Sequence, residues 1–62
     1  MRLLVDDTAT HRLFMEKNWI GIKRWIIEER ETNDKMIFNG LWYTQEKVVH
    51  ILRNLDTLSK TY

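Results

Sequence analysis

The chain has 62 residues, with ten basic and nine acidic side chains, two glycines and neither proline nor cysteine. This length allows one domain at most, which we place over residues 1–62, and the lack of cysteine excludes disulfides and thiolate metal sites. A net charge of +1 does not by itself indicate a nucleic-acid partner, and no apolar run reaches the roughly 20 residues of a membrane-spanning helix. We expect a cytoplasmic protein with no membrane partner, metal or cofactor.

The first half of the chain is predicted to be mostly helical. The apolar run at its start, RLLV, fits a short strand, and the DDT that follows is a helix-start signal because its oxygens can accept hydrogen bonds from the amides of a first turn. Residues 9–30 then fit a helix, although their apolar side chains are scattered around the whole circumference. A break at EKN removes much of this scatter. We predict a first helix that ends near Met15 and a second that begins after the favoured N-cap Asn18.

The second predicted helix is apolar on one face, and the central helical region is basic at one end and acidic at the other. Its main apolar face would be formed by Trp19, Ile22, Trp25 and Ile26. Ile20 and Ile27 lie off that face, and each needs a partner of its own. Four basic side chains against one acidic side chain make the segment from His11 to Arg24 locally positive. This pattern indicates either ordinary solvated helix faces or a polarised binding surface.

The segment MIFNGLWY contains the strongest local pattern. Asn-Gly can supply the two positive-φ positions of a type I′ turn, so residues 36–38 and 41–43 are predicted to pair as a β-hairpin. In that hairpin Ile37 and Trp42 would lie on one face, and the other apolar residues would lie on the opposite face. Both faces would be apolar, so either both are covered or one of them is a docking surface.

The sequence TQEKVVHILRNLDTL predicts an amphipathic helix near the C-terminus. Thr44 fits the N-cap, and Gln45 and Glu46 suit the positive end of the helix dipole. The apolar stripe would be formed by Val48, Ile51 or Leu52, Leu55 and Leu58. Such a helix packs either on the core of its own domain or against a second copy.

No arrangement of residues in the sequence indicates catalysis. The hydroxyl-rich segments near both ends have no base partner, and there is no glycine-rich phosphate loop. The adjacent residues Glu28 and Glu29 would point about 100° apart on a helix, so their carboxylates would not share a site. The histidines, His11 and His50, have no metal-ligand spacing. The sequence therefore predicts a protein that is not an enzyme.

The predicted order of helix, turn, helix, hairpin and helix is that of a winged helix-turn-helix domain. KRWIIEER at residues 23–30 resembles the recognition-helix end of the excisionase and MerR-like DNA-binding family, and NGLWYTQEKVVHIL at residues 39–52 is similar to its wing and following helix. Asn18 falls where the family tends to place a Ser or Thr cap. The resemblance covers residues 8–52 and implies an α+β fold, in which RLLV either adds a strand beside the hairpin or is an extra element.

The resemblance implies a function in DNA recombination. Excisionases are small architectural proteins of phages and mobile elements that bind double-stranded DNA side by side, bend it and set the direction of a site-specific recombinase. For this chain the resemblance implies DNA contacts from Lys17, Asn18, Lys23, Arg24, Lys35 and Asn39. It also implies self-association or cooperative assembly on DNA, in the cytoplasm of bacterial or phage-infected cells, with control of recombination or transcription as the result.

The sequence departs from this family at the turn and at the start of the recognition helix. Glu16 and Lys17 stand where the family has a small and an apolar residue. Trp19, Ile20 and Gly21 replace polar or basic residues that normally face bases. These departures favour contacts to thymine methyl groups, shape readout or a surface adapted to protein. The alternative function is therefore the binding of a host protein through Trp19, Ile20, Ile27, Phe38, Leu41 and Tyr43.

The simplest structural interpretation assigns the large apolar side chains to the core and leaves the basic side chains solvated. That core would comprise Trp25, Ile26, Ile22, Trp42 and Ile37. A core of this size without a disulfide or a bound metal ion is only marginally stable, so we expect the protein to bind a partner or a second copy of itself. The contact would use the outer hairpin face or Ile20 and Ile27.

Overall fold

The computed structural model describes residues 2–59 and the backbone of Lys60. In this part of the chain four strands, β1 (Arg2–Asp7), β2 (His11–Lys17), β3 (Lys23–Glu29) and β4 (Lys35–Asn39), are followed by one helix, α1 (Gln45–Lys60). The strands pair in chain order, each antiparallel to its neighbour. The sheet is therefore a four-stranded meander with β1 and β4 at its edges.

The predicted winged helix-turn-helix fold is wrong, because both helices predicted within residues 9–30 are strands. Successive side chains of a strand point to opposite faces of its sheet. In β3, Trp25 and Ile27 therefore project to one face and Ile26 to the other, and β2 alternates in the same way. The apolar side chains of this segment would scatter around a helix, but in the sheet they form one set on each face.

The predicted β-hairpin over residues 36–43 is also wrong. Its first half is β4, and this strand pairs with β3 instead of with the second half of the segment. The backbone of Gly40 lies outside the positive-φ region, so the turn is not of type I′. The chain continues from the turn into α1, with the N–H groups of Trp42 and Tyr43 donating to the carbonyl oxygen of Asn39 at 3.1 and 3.0 Å.

Two predicted elements are confirmed. The apolar run at the start of the chain is β1, and the amphipathic segment is α1. Thr44 caps α1, since its Oγ1 accepts a hydrogen bond from the N–H of Lys47 at 3.3 Å. In the predicted stripe, Val48 and Leu52 are fully buried, whereas Leu58 is exposed. The helix lies on its own sheet, mainly against β2 and β3.

The core lies between α1 and one face of the sheet. Its buried apolar residues are Leu13, Trp25, Ile27, Val48 and Leu52. Ile27 is 1% exposed, so the prediction that it lies off the buried face and needs a separate partner is wrong. It is the cross-strand partner of Leu13, and both side chains project towards the helix. Burial of each such side chain stabilises the fold by about 1.5–3 kcal/mol.

The opposite face of the sheet is not covered by α1. One residue from each strand contributes to an apolar row across this face, because Leu4, Phe14, Ile26 and Ile37 are successive cross-strand partners. We call these four residues the open-face row. The guanidinium carbon of Arg2 lies 4.2 Å from the centre of the Phe14 ring, in the geometry of a cation–π contact. The Arg2 side chain therefore covers part of this row, and Ile26 within it is 3% exposed.

Candidate functional site

Two loops lie at the same end of the sheet and carry several of its exposed apolar side chains, including its two exposed tryptophans. Residues 18–22 join β2 to β3, and residues 40–44 join β4 to α1. The loops adjoin neighbouring strand ends, because the N–H of Gly40, the first residue of the second loop, donates at 3.0 Å to the carbonyl oxygen of Lys23, which directly follows the first loop. Apart from Tyr43 at their margin, the large exposed side chains of these loops are Trp19, Ile20, Ile22, Leu41 and Trp42. We call these five residues the apolar end.

The tryptophans of the apolar end are held in solvent. Trp19 is 94% exposed and Trp42 is 75% exposed. The third tryptophan, Trp25, is 5% exposed, and its indole N–H donates to the carbonyl oxygen of Tyr43 at 2.9 Å. Burial of a large apolar side chain stabilises a fold by about 1.5–3 kcal/mol. With two tryptophans exposed, this small domain lacks a substantial part of the stabilisation that its apolar side chains could give.

Asn18 holds the first loop in one conformation. Its Oδ1 accepts hydrogen bonds from the N–H groups of Ile20 at 3.1 Å and Ile22 at 2.9 Å. Its own N–H donates to the carbonyl oxygen of Ile22, and its carbonyl oxygen accepts from the N–H of Gly21. The side-chain oxygen of Asn18, which predicts a helix N-cap because it can accept backbone N–H groups, therefore closes a turn between two strands instead. Trp19 is presented by a loop that is braced from within.

Asn39 has the same function at the second loop. Its Oδ1 accepts a hydrogen bond from the N–H of Leu41 at 2.8 Å, and its carbonyl oxygen accepts the two amides that follow. The ring of Tyr43 packs edge-on against Phe38, with the ring centres 5.0 Å apart. Leu41 and Trp42 are therefore also presented by a braced loop.

Lys17 and Lys23 give this end of the sheet a positive rim. They are cross-strand partners, and like charges directly opposite each other repel. Neither ammonium group has an ion-pair partner among the side chains that the structure describes. The neighbouring Arg24 differs, because Oε1 of Glu16 accepts from its Nε at 2.9 Å and its Nη2 at 2.6 Å. This hydrogen bonding to Arg24 holds the pKa of Glu16 below its ordinary value of 4.5.

The predicted DNA-binding residues are mostly brought together at this end. An open depression beside the first loop is lined, among others, by Lys17, Asn18, Lys23, Arg24 and Asn39. The sixth residue, Lys35, lies at the opposite end of β4, with its Nζ 3.9 Å from the carboxylate of Glu28. The segments predicted to present these residues to DNA as a recognition helix and a wing are strands and turns.

The predicted protein-binding residues fall into three groups. Trp19, Ile20 and Leu41 belong to the apolar end, and Tyr43, which is 37% exposed, lies at its margin. Phe38 is half-buried and packs against the core. The remaining residue, Ile27, belongs to the core and does not reach the surface.

Sequence reasoning missed the exposure of Trp42, Ile22 and Ile37. It assigns all three to the core, but they are 75%, 41% and 59% exposed. For Trp42 the available clue is that only three residues separate the Asn-Gly turn from the helix cap, which is too few for a strand that matches β4. For Ile22 the clue is the preceding glycine, which favours a turn. The other two predicted core residues, Trp25 and Ile26, are confirmed as buried.

A polar cluster at the other end of the sheet surrounds the buried side chain of His11. Its Nδ1 lies 2.7 Å from Oγ1 of Thr10, and this hydroxyl donates to Oδ1 of Asp56 at 2.9 Å. Because the hydroxyl proton goes to Asp56, Nδ1 of His11 is the donor to Thr10 and cannot act as a base towards it. The cluster joins the β1–β2 turn to α1, which is a structural function.

The residues that the structure describes contain no group of three or more His, Cys, Asp or Glu side chains that could hold a metal ion. No helix in this part of the chain is long and apolar enough to cross a membrane. Comparison of the chain with protein-family models, curated proteins and solved structures finds no match. The resemblance to excisionases therefore stays a prediction, and the apolar end is the feature that indicates a function.

Proposed function

We propose that this chain is a small binding protein that docks its apolar end on another protein. The observation that supports this most is that Trp19 and Trp42 are exposed on two adjacent loops, each braced by an asparagine side chain. Tryptophan is enriched among the residues that dominate binding energy at protein interfaces. A braced loop loses little conformational entropy on binding, so more of the contact energy contributes to affinity.

The side chains around the tryptophans specify the chemistry of the partner. Ile20, Ile22 and Leu41 add branched apolar side chains that fit an apolar groove. Lys17 and Lys23 lie at the margin and would meet carboxylates, which would also offset the repulsion between the two lysines. We therefore expect a partner protein with an apolar groove that has an acidic margin.

Replacement of both exposed tryptophans tests the proposal. Trp19→Ser and Trp42→Ser in one chain should leave the fold intact, because neither side chain belongs to the core. An interface anchor contributes about 2 kcal/mol or more, so the affinity for a partner should fall at least about 30-fold for each tryptophan. The measurement is calorimetric titration with a partner protein that wild-type chain retains from a lysate of the cells in which it is made.

Leu58→Ser is the matched control for the tryptophan variant. Leu58 is also an exposed apolar residue, but it lies in the last turns of α1. Its replacement should leave the affinity unchanged. Equal affinities of wild-type chain and the double tryptophan variant would contradict the proposal, and so would a loss of binding in Leu58→Ser that matches the loss in the double variant.

A second candidate function, nucleic-acid binding, is favoured by the two lysines beside the exposed tryptophans. Cationic side chains beside exposed aromatic rings are a combination that binds single strands by phosphate contacts and base stacking. Titration with duplex and with single-stranded DNA at two salt concentrations distinguishes this candidate, because phosphate contacts weaken steeply with salt. A recombinase partner and a cytoplasmic location in bacterial or phage-infected cells stay predictions under both candidates.

A further inference from the structure

The two edges of the sheet differ in how they are protected. The register of β1 with β2 shifts between Leu4 and Asp6, and β1 ends in two acidic residues. Bulges and charges are features that keep an edge strand from pairing with another chain. β4 has a single charged residue, Lys35 at its start, its register is regular over its whole length, and its Met36 and Ile37 are 45% and 59% exposed. β4 is therefore the less protected edge.

The hydrogen bonds between β3 and β4 indicate which backbone groups of β4 point outwards. The N–H of Gly40 donates to the carbonyl oxygen of Lys23, and the N–H of Glu29 donates to the carbonyl oxygen of Asp34. Ladder bonds in an antiparallel pair skip every second residue, so the even-numbered residues of β4 bond to β3. Ile37, at the centre of β4, consequently directs its N–H and C=O groups away from the sheet.

A second copy of β4 is complementary to this edge. If two β4 strands run antiparallel with a two-fold axis at Ile37, this residue faces its own counterpart and the two exchange backbone hydrogen bonds. Met36 then faces Phe38 of the second copy on one side of the sheet. On the other side Lys35 faces Asn39 of the second copy, whose outward carbonyl oxygen already accepts from the N–H groups of its own Trp42 and Tyr43, so the backbone bonds of the contact centre on the Ile37 pair. Apolar residues meet apolar residues and no like charges meet, which are favourable cross-strand pairs.

We propose that β4 is a dimerisation edge and that its occupant is a second copy of this chain. Pairing about the two-fold axis turns two four-stranded sheets into one sheet of eight strands and joins their open-face rows end to end. β4 has only five residues, so the contact is small and the dimer dissociates on dilution. The two apolar ends lie at opposite ends of this dimer, so the proposal does not depend on their function.

Sedimentation equilibrium of the whole chain, over about two decades of protein concentration, tests the dimer. Wild-type chain should show a monomer–dimer equilibrium. Ile37→Pro removes the outward N–H that the second copy requires, and it keeps the bonds from β4 to β3 because that N–H is not part of them. This variant should be monomeric at every concentration, with the circular dichroism spectrum of wild-type chain.

Leu4→Pro is the matched control at the other edge. Leu4 belongs to the same open-face row, is 51% exposed, and pairs with Phe14. The N–H of Arg30 donates to the carbonyl oxygen of Thr10, so the even-numbered residues of β2 bond to β3. Phe14, the partner of Leu4, is one of these residues, so Leu4 and Phe14 do not exchange hydrogen bonds and the N–H of Leu4 also points outwards. Leu4→Pro should therefore keep the dimer.

A pair of charge variants tests the same contact without proline. Ile37→Lys and Ile37→Glu should each be monomeric, because like charges would face each other across the two-fold axis. An equimolar mixture of the two should form a dimer, since opposite charges then face each other. Recovery in the mixture supports the proposal even if Ile37→Pro does not fold.

Three results would overturn the proposal. The first is a wild-type chain that stays monomeric at every concentration. The second is a dimer that persists in folded Ile37→Pro or in Ile37→Lys alone. The third is a dimer that is lost when Trp19 and Trp42 are replaced by serine but is kept in Ile37→Lys, which would place self-association at the apolar end.

Discussion

The two glycines of the chain are required for different physical reasons. Gly21 has a φ of +87°, and a β-carbon there would meet no other atom within 4 Å. Gly40 lies outside the positive-φ region, but a β-carbon there would lie 2.4 Å from the carbonyl oxygen of Lys23. The sequence predicts that Gly40 is required, but for a positive φ. The close approach of Lys23 depends on strand pairing and could not be predicted from a dipeptide.

Asparagine should therefore recover stability relative to alanine at one glycine and not at the other. Gly40→Ala should reduce the free energy of unfolding by about 1–3 kcal/mol, because the added carbon forces β4 away from β3. Gly21→Ala should reduce it by about 1–2 kcal/mol, because a β-carbon disfavours positive φ. Gly21→Asn should recover part of that loss, since asparagine adopts this region more readily, whereas Gly40→Asn should recover nothing. Urea unfolding measures all four, and a Gly40→Asn chain as stable as wild type would exclude the close approach.

At the scale of elements, the parts of the fold that depend on local sequence could be predicted. β1 is a short apolar run beside turn residues, and α1 has both an apolar stripe of helical period and a Thr44 cap. β3 could not be assigned as easily, because Trp25, Ile26 and Ile27 are consecutive and all three are buried. A central strand with apolar groups on both faces loses the alternation that identifies a strand. The scatter of apolar residues around the predicted helix was the evidence against it.

The cap of α1 provides a prediction at this scale. Thr44→Ala removes the oxygen that accepts from the N–H of Lys47 and should reduce the free energy of unfolding by about 0.5–2 kcal/mol. Thr44→Ser keeps that oxygen and should be close to wild type. Thermal unfolding followed by circular dichroism measures both variants. Equal melting temperatures for Thr44→Ala and wild-type chain would show that the cap does not contribute.

At the scale of the whole molecule, the two ends of the sheet are tied to the helical segment in different ways. The β1–β2 turn is tied to α1 through Thr10 and Asp56, and Arg53 binds Asp6 at 3.1 Å. The other end carries the two tryptophan loops and the rim of Lys17 and Lys23, and there the indole N–H of the buried Trp25 donates to the carbonyl oxygen of Tyr43 at 2.9 Å. Because this bond comes from the buried Trp25 and not from an exposed tryptophan, the apolar end can bind a partner while the helical segment stays tied to the sheet at both ends.

The candidate site could be predicted only in part from the sequence. Ile20 lies off the predicted helical stripe, and both Trp19 and Ile20 stand where the family that the sequence resembles has polar or basic residues, so a role outside the core could be inferred for them. For Trp42 and Ile22 the sequence holds only the indirect clues of a short segment before the helix cap and a preceding glycine, because their exposure depends on which strands pair. The adjacency of the two loops follows from the pairing of β3 with β4, which is a tertiary property.

The placement of the binding site at the apolar end is tested most directly by fluorine NMR of chain labelled with fluorotryptophan, before and after addition of an isolated partner protein. The three tryptophans are assigned by single replacements with phenylalanine. The resonances of Trp19 and Trp42 should shift and lose their sensitivity to solvent, while that of Trp25, which is already buried, should not change. A partner that binds and leaves the resonances of Trp19 and Trp42 unchanged would contradict this placement.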